Sequence, residues 1–161
     1  MNKIIGIKKA PQHAAEDKRK GHKIILAGGC FDILHIGHLK FLEKAKKLGG
    51  KLFILLESDE KVKLLKGKDR PIFNQADRAE VLSKLSDVDV IIKLPPFSED
   101  QDYINLVADI SPDIIAVAEN DPIISKKRKQ AEKLNSRLEL IPFVRTLSSS
   151  RLAEILSREQ L

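Results

Sequence analysis

Short, wholly apolar runs that alternate with amphipathic stretches constrain the fold of this chain more than any other feature. Residues 23–27 form a first run, read as a buried strand that ends in Gly28-Gly29. Lys51 to Glu57 form a second, continuous in apolar character as a strand covered on both faces must be. Between them, residues 37–48 read as a helix. Leu39, Leu42, Ala45 and Leu48 share one face, Lys40, Glu43, Lys46 and Lys47 point away from it, and Gly49-Gly50 supplies the stop. A polar stretch from Ser58 to Phe73 follows. Asn74 then caps a helix running to about residue 86, with Asp77 completing a variant of the capping box. Val88 to Leu94 is a third strand and Pro95-Pro96 breaks the chain. The rest reads as helix 99–110, strand 113–118, basic helix 123–135, strand 137–141 and helix 149–158. Strands separated by helical segments require right-handed crossovers. The expected architecture is therefore one α/β domain, residues 23–161, on an open parallel five-stranded sheet with helices on both faces. Such sheets bind ligands beyond the carboxyl ends of their strands, just after Ala27, Glu57, Leu94, Ala118 and Ile141.

Residues 1–22 stand apart as a basic leader. They hold six Lys and Arg against two acids, and so carry four of the six net positive charges of the 161-residue chain. A nearly neutral domain behind such a leader argues against a nucleic-acid partner, which asks for a charged face on the domain itself. The leader is expected to be a solvated extension. Cys30 is the single cysteine, so no internal disulfide can form, and a reducing, cytoplasmic setting is expected. The longest apolar runs, such as Leu52 to Leu56, fall far short of the roughly 18 residues that span a bilayer. No signal-peptide pattern opens the chain, and no membrane partner is expected.

The most informative stretch is the first strand-to-helix turn, Gly28-Gly29-Cys30-Phe31-Asp32-Ile33-Leu34-His35-Ile36-Gly37-His38. Two glycines after a strand let a bulky ligand reach the backbone. His35 and His38 bracket Gly37 where a helix begins, and the free amides and positive dipole end there suit phosphate. Two imidazoles in that place can donate hydrogen bonds to phosphoryl oxygens whose charge grows in a transition state. The stretch is neither a P-loop, lacking Gly-Lys-Ser/Thr, nor a dinucleotide fingerprint, lacking Gly-x-Gly-x-x-Gly.

Gly29, Phe31, Asp32, His35, Gly37 and His38 match the signature Gly-x-Phe-Asp-x-x-His-x-Gly-His, and the chain resembles the cytidylyltransferase-like nucleotidyltransferases over about residues 23–158. The resemblance implies a Rossmann-like fold. It also implies that Gly28, Gly29, Cys30, Phe31, Asp32 and Gly37 bind a nucleotide while His35 and His38 act on its phosphates. Lys66-Gly67-Lys68-Asp69-Arg70-Pro71, Asp77-Arg78 and Val88-Asp89 look most like the adenylyltransferase domain of bacterial heptose-phosphate enzymes. Glycerol-3-phosphate cytidylyltransferase and archaeal FAD synthetase are close competitors. Lys66 or Lys68 resembles the family's mobile-loop lysine that reaches the phosphates, with the register open between them. Arg145-Thr146-Leu147-Ser148-Ser149-Ser150 stands where the family binds the triphosphate at the start of its last helix, in a shorter version. Hydroxyls and free amides at a helix start make a phosphate cradle, and Arg145 adds a fixed cation. Where relatives often show Gly-Asp after the fourth strand, this chain has Ala118-Glu119-Asn120-Asp121. That departure bears on base and acceptor recognition, with Glu119 as the candidate nucleotide contact.

The resemblance implies direct displacement. An acceptor phosphate oxygen attacks the α-phosphorus of ATP or CTP and pyrophosphate leaves, with His35, His38, Lys66 and Arg145 as the catalytic set. Magnesium is expected to ride on the nucleotide phosphates rather than in a protein cage. The acceptor is expected to be a phosphorylated small molecule, a sugar or polyol phosphate by preference. Family members are often dimers, so a homodimer is admitted. Two rivals differ in class. One is a non-catalytic nucleotide-sensing or RNA-associated module, suggested by Ala118 to Asp121 and the leader. The other is amino-acid activation: His35-Ile36-Gly37-His38 is also the class I aminoacyl-tRNA synthetase signature, and Ser125-Lys126-Lys127 echoes the second motif of those enzymes.

Overall fold

The strands richest in Ile, Leu and Val take the centre of the sheet, and the rest of the chain is arranged around them. The computed structural model describes residues 2–158. β2 (Ile24–Gly29) pairs in parallel with β3 (Lys51–Leu56) on one side and with β5 (Ile114–Ala118) on the other. β4 (Val90–Lys93) continues beyond β3, β6 (Arg137–Ile141) lies beyond β5, and β1 (Ile4–Gly6) lies beyond β4. The sheet therefore has six parallel strands, in the order β1-β4-β3-β2-β5-β6.

Side chains alternate between the two faces of each strand. Phe53 and Leu55 face one layer with Leu26, Val90 and Val117, whereas Leu52, Ile54 and Leu56 face the other with Ile25, Ala27 and Ala116. The first layer is closed by α1 (Ala10–Arg19), α5 (Asp100–Ile110) and α6 (Ile124–Lys133), through Ala10, Ala14, Leu106, Val107, Ile110 and Ala131. The second is closed by α2 (Ile36–Lys46) and α4 (Gln75–Ser83), through Leu42, Ala45, Ala79 and Leu82. Full burial of a side chain such as Phe53 or Ile54 contributes about 1.5–3 kcal/mol.

The sheet corrects the expected count of five strands. The sixth comes from the basic leader, where Ile4 and Ile5 pair with Ile91 and Ile92. Ile4-Ile5-Gly6-Ile7, set between Lys3 and Lys8, is too short a run to stand out, but the open edge of β4 gives it a partner. The helix that follows is anchored by Ala10 and Ala14, one turn apart and fully buried, with Pro11 in its first turn. Alanine lets that helix lie close to α5 without the large apolar residues by which buried helices are usually recognised. A second correction is α3 (Asp59–Lys66), inside the stretch read as polar. Ser58 caps it by accepting from the Lys61 amide, but only Val62 is buried and Leu64 and Leu65 face outward, so no apolar stripe marks it. The last helix, α7 (Ser149–Arg158), has the expected bounds.

Candidate active site

Strand order reverses between β2 and β5: the chain runs from β2 outward through β3 to β4, then returns across the sheet to β5. The carboxyl ends of β2 and β5 part around a cleft of about 270 Å³. Gly28, Gly29, Cys30 and Phe31 line it from β2, and Ala116, Val117 and Ala118 from β5. Gly29 is required by a close approach: a Cβ there would lie 2.8 Å from the ring of Phe31. Phe31 itself sits at φ +46°, a left-handed conformation that turns its buried ring back beneath the turn to within 5.2 Å of the His38 ring.

His35 is the N-cap of α2. Its Nδ1 accepts from the Gly37 amide at 3.1 Å, so the neutral ring carries its proton on Nε2. A Cβ on Gly37 would collide with Thr146 Cγ2 at 2.8 Å and with the His35 ring at 2.9 Å, so glycine is what lets the loop before α7 close against the start of α2. The two imidazoles lie 4.0 Å apart, centroid to centroid. Burial first, then the neighbouring His35 and Lys66, push the His38 pKa down to about 4, against a weaker opposing effect of the Ile33 carbonyl. His35 is shifted the same way by burial and Lys66. His38 Nδ1 is buried without a well-formed hydrogen bond. A pair of neutral imidazoles beside an ammonium thus waits at a helix start for something that supplies negative charge.

Lys66, at the C-terminal end of α3, lines the cleft, and Gly67 at φ +109° turns the chain away after it. Lys68 lies on an outer surface with Glu60, Lys63 and Leu64, so of the two lysines left open in the sequence Lys66 is the one at the cleft. Thr146, Ser148 and Ser149 also line the cleft, and Ser148 Oγ accepts from the Arg151 amide as a cap of α7. Arg145, Glu119, Asp32 and Ser150 are not among the lining residues. Arg145 is exposed, and Glu119 accepts from the Phe143 amide at 3.2 Å, tying the loop after β5 to the loop after β6.

Asp32 points inward. Its carboxylate takes Arg70 Nε at 2.6 Å and the amides of Ile72 and Phe73 at 2.8 and 2.9 Å. Burial alone would raise its pKa, but the two amides and the guanidinium overcome it and hold the carboxyl below its ordinary value. The other nitrogens of Arg70 donate to Ser149 Oγ and Ser150 Oγ, each at 3.3 Å. Arg70 therefore couples the first turn to the start of α7. Arg78 is a second buried strut. It donates to the carbonyls of Cys30, Glu57 and Phe73 at 2.6, 2.9 and 3.0 Å and pairs with Asp59 at 2.7 Å. Neither arginine was a sequence-predicted site residue, although both fall inside segments that carried the resemblance. An arginine flanked by Gly, Asp and Pro, or set in a helix, gives no local sign that it will be buried.

The α5 and α6 side of the cleft is also polar, with Asp121 and Lys127 in its lining and Glu57, Tyr103 and Lys61 set back from it. Tyr103 Oη donates to Glu57 Oε2 at 2.9 Å, and Lys61 Nζ lies 5.4 Å from the Tyr103 ring centroid. Lys127 and Asp121 line the cleft and pair at 2.7 Å. Glu57 and Tyr103 were missed in the sequence because each is a single polar residue at the edge of an apolar run. Burial raises the pKa of the Cys30 thiol, with Lys66 opposing.

The cytidylyltransferase-like family model matches residues 26–159. The chain is similar to bifunctional protein HldE of Haemophilus influenzae (strain PittGG), 46% identical over 101 residues, which is 63% of this chain and 20% of that protein. HldE of a Nitratiruptor species is 39% identical over 136 residues, 84% of this chain and 28% of that protein. The chain thus spans less than a third of the length of these relatives. Among solved structures, the lipopolysaccharide core biosynthesis protein of Thermoplasma volcanium GSS1 superposes with a TM-score of 0.63 at 27% identity, covering 78% of this chain and 99% of that one. Pantoate-beta-alanine ligase of Francisella tularensis shares the fold alone, with a TM-score of 0.65 at 16% identity over 94% of this chain and 72% of that one. No helix among the described residues is long and apolar enough to cross a membrane. With its six-residue signature at the mouth of β2 and the family match over most of its length, the chain belongs to the cytidylyltransferase-like family of nucleotidyltransferases.

Proposed function

We propose that this domain transfers AMP from ATP to the phosphate of a phosphorylated sugar or polyol and releases pyrophosphate. The observation that carries the reading is the neutral His35–His38 pair at the start of α2, at the bottom of an open cleft. ATP and a sugar-type acceptor are favoured over CTP by two features. One is the likeness of residues 66–71, 77–78 and 88–89 to heptose-phosphate adenylyltransferase domains. The other is a structural relative whose name assigns it to lipopolysaccharide core biosynthesis.

An acceptor phosphate oxygen attacks the α-phosphorus, the bond to the bridging oxygen breaks, and the electron pair leaves with pyrophosphate. No covalent enzyme intermediate is needed, so the enzyme contributes positioning and charge stabilisation. His35 donates from Nε2 and His38 from its cleft-facing edge to the α-phosphoryl and bridging oxygens. Lys66 and Arg145 hold the departing pyrophosphate, and Ser148, Ser149 and Ser150 with the first amides of α7 cradle the β- and γ-phosphates. Gly28, Gly29, Cys30 and Phe31 leave room for the nucleotide, and Glu119 holds the Phe143 loop beside the base. Asp32 serves as the buried anchor of Arg70. Asp121, the carboxylate among the cleft's lining residues, is already engaged by Lys127, which suits a magnesium ion delivered on the triphosphate with its own waters. That ion supplies charge neutralisation on the phosphates.

Pyrophosphate release with magnesium, crossing ATP and CTP against aldose 1-phosphates, glycerol 3-phosphate, FMN and 4′-phosphopantetheine, tests the reading. Turnover with ATP and one sugar or polyol phosphate is expected. Triphosphate binding without turnover of any acceptor would instead favour a nucleotide-sensing module.

A further inference from the structure

The polar group beside the cleft that the displacement chemistry does not use is the Glu57–Tyr103 pair. Glu57 follows Leu56 at the carboxyl end of β3, and its amide donates to the Gly29 carbonyl at 3.1 Å. By strand alternation it continues the Phe53-Leu55 face, the layer closed by α5 and α6. Arg78 donates to both the Cys30 and Glu57 carbonyls, so the two backbones are neighbours, and Cys30 lines the cleft. The pair therefore stands behind Cys30, on the side of the cleft away from Thr146 and α7.

The pair leaves one carboxylate oxygen free to accept from a ligand. The carboxylate accepts Tyr103 Oη on Oε2, which leaves Oε1 without a protein partner among the described residues. The Tyr103 ring is fixed edge-on against Phe97, 5.0 Å between centroids, and carries Lys61 over its face. Burial raises the Glu57 pKa, while the Tyr103 hydrogen bond and the ammonium groups of Lys61 and Lys127, with Arg78, oppose it. Tyr103 is shifted up by burial and by Glu57, so the shared proton stays on the phenol. An oriented, half-satisfied carboxylate next to lysines matches a ligand with hydroxyl donors at one end and an anionic group at the other.

We propose that Glu57 reads a hydroxyl of the acceptor, with Tyr103 as its positioning residue, and that Lys61 and Lys127 hold the acceptor's charge, so that the acceptor is a hydroxyl-rich sugar or polyol phosphate. This inference rests on the transferase reading above and narrows it to one side of the cleft. A site that hydrogen-bonds a hydroxyl discriminates strongly against the analogue lacking it, because a buried polar group is then left unpaired.

The test is steady-state kinetics of the full chain with ATP and a panel of aldose 1-phosphates and glycerol 3-phosphate, together with deoxy counterparts of each productive acceptor. Glu57→Gln is expected to raise the acceptor KM about tenfold or more while the KM for ATP stays within about twofold. The wild type should discriminate against one deoxy acceptor, and Glu57→Gln should lose that discrimination. Tyr103→Phe should raise the acceptor KM less. It should also move the acid limb of kcat/KM for the acceptor to higher pH, because the hydrogen bond that lowers the Glu57 pKa is gone; a merely structural role for the phenol would leave that limb in place. An active wild type whose acceptor KM and deoxy discrimination are unchanged by Glu57→Gln, or whose ATP KM rises as much as the acceptor KM, overturns this inference alone. Should Glu57→Gln fail to fold, Tyr103→Phe decides by the same two measures. A wild type silent with every acceptor overturns the transferase reading beneath it.

Discussion

The two sides of the cleft solve the same problem, handling charged ligand groups, with different materials. The α2 and α7 side uses backbone amides, hydroxyls, two imidazoles kept neutral by burial and the Lys66 ammonium, with the Asp32–Arg70 ion pair sealed behind the wall. The α5 and α6 side places paired charges at the wall, Asp121–Lys127, with Glu57, its phenol and Lys61 set behind Cys30. The first arrangement suits a group that arrives with its own charge and metal, whatever nucleotide it belongs to. The second is particular, since each side chain asks for a complementary group at one place. We take the first as the machinery of displacement and the second as the seat of selectivity.

That division can be broken. Arg70→Ala leaves the Asp32 carboxylate buried beside only two amides and frees the Ser149 and Ser150 hydroxyls. A loss of about 3–5 kcal/mol of stability is expected, measurable by urea unfolding. A variant as stable as the parent would mean the strut is dispensable. His38→Ala is expected to slow turnover at least about a hundredfold, with triphosphate binding retained by thermal shift. Unchanged turnover would remove the imidazoles from the chemistry.

His38 also predicts a pH dependence. Its folded pKa, about 4, lies below the ordinary 6.5, so between those values the unfolded chain binds the extra proton and stability falls as pH drops. His38→Gln should flatten that part of a stability-versus-pH curve, and an unaltered slope would place its origin elsewhere. Smallest and most diagnostic is a contrast of neighbours. Lys66→Ala should lower kcat/KM about tenfold, whereas Lys68→Ala, on the outer surface, should change it less than about twofold. Equal effects would mean the loop presents either lysine.

What could be read from the sequence follows the same line between the two sides. Gly29, Phe31, Asp32, His35, Gly37 and His38 lie within one turn, so local spacing alone carries their arrangement. The strands β2 to β6 and the helices between them, α3 excepted, were legible because each strand is a short apolar run and each helix buries an apolar face. Glu57, Tyr103 and the local pair Asp121–Lys127 come from three separate segments, and only the crossovers bring them to one side of the cleft. No window of sequence holds their relation. Arg70 and Arg78 show a different gap: the segments around them stand out, but what makes them important is the set of carbonyls, hydroxyls and carboxylates they reach, which is a property of the folded chain. Asp32 reads as a nucleotide contact because it belongs to the signature, whereas its hydrogen bonds turn it to the interior.

The leader strand has a practical meaning for handling the protein. The family match begins at residue 26, and a truncation there, or at residue 22, would look harmless. It would strip β1 from β4, bare a run of Val-Ile-Ile backbone on the sheet edge, and uncover the apolar floor that Ala10 and Ala14 now roof. An uncovered strand edge of that composition invites pairing with another molecule. Poor solubility of such a shortened form would then reflect a missing shutter on the sheet rather than any defect in the catalytic turn.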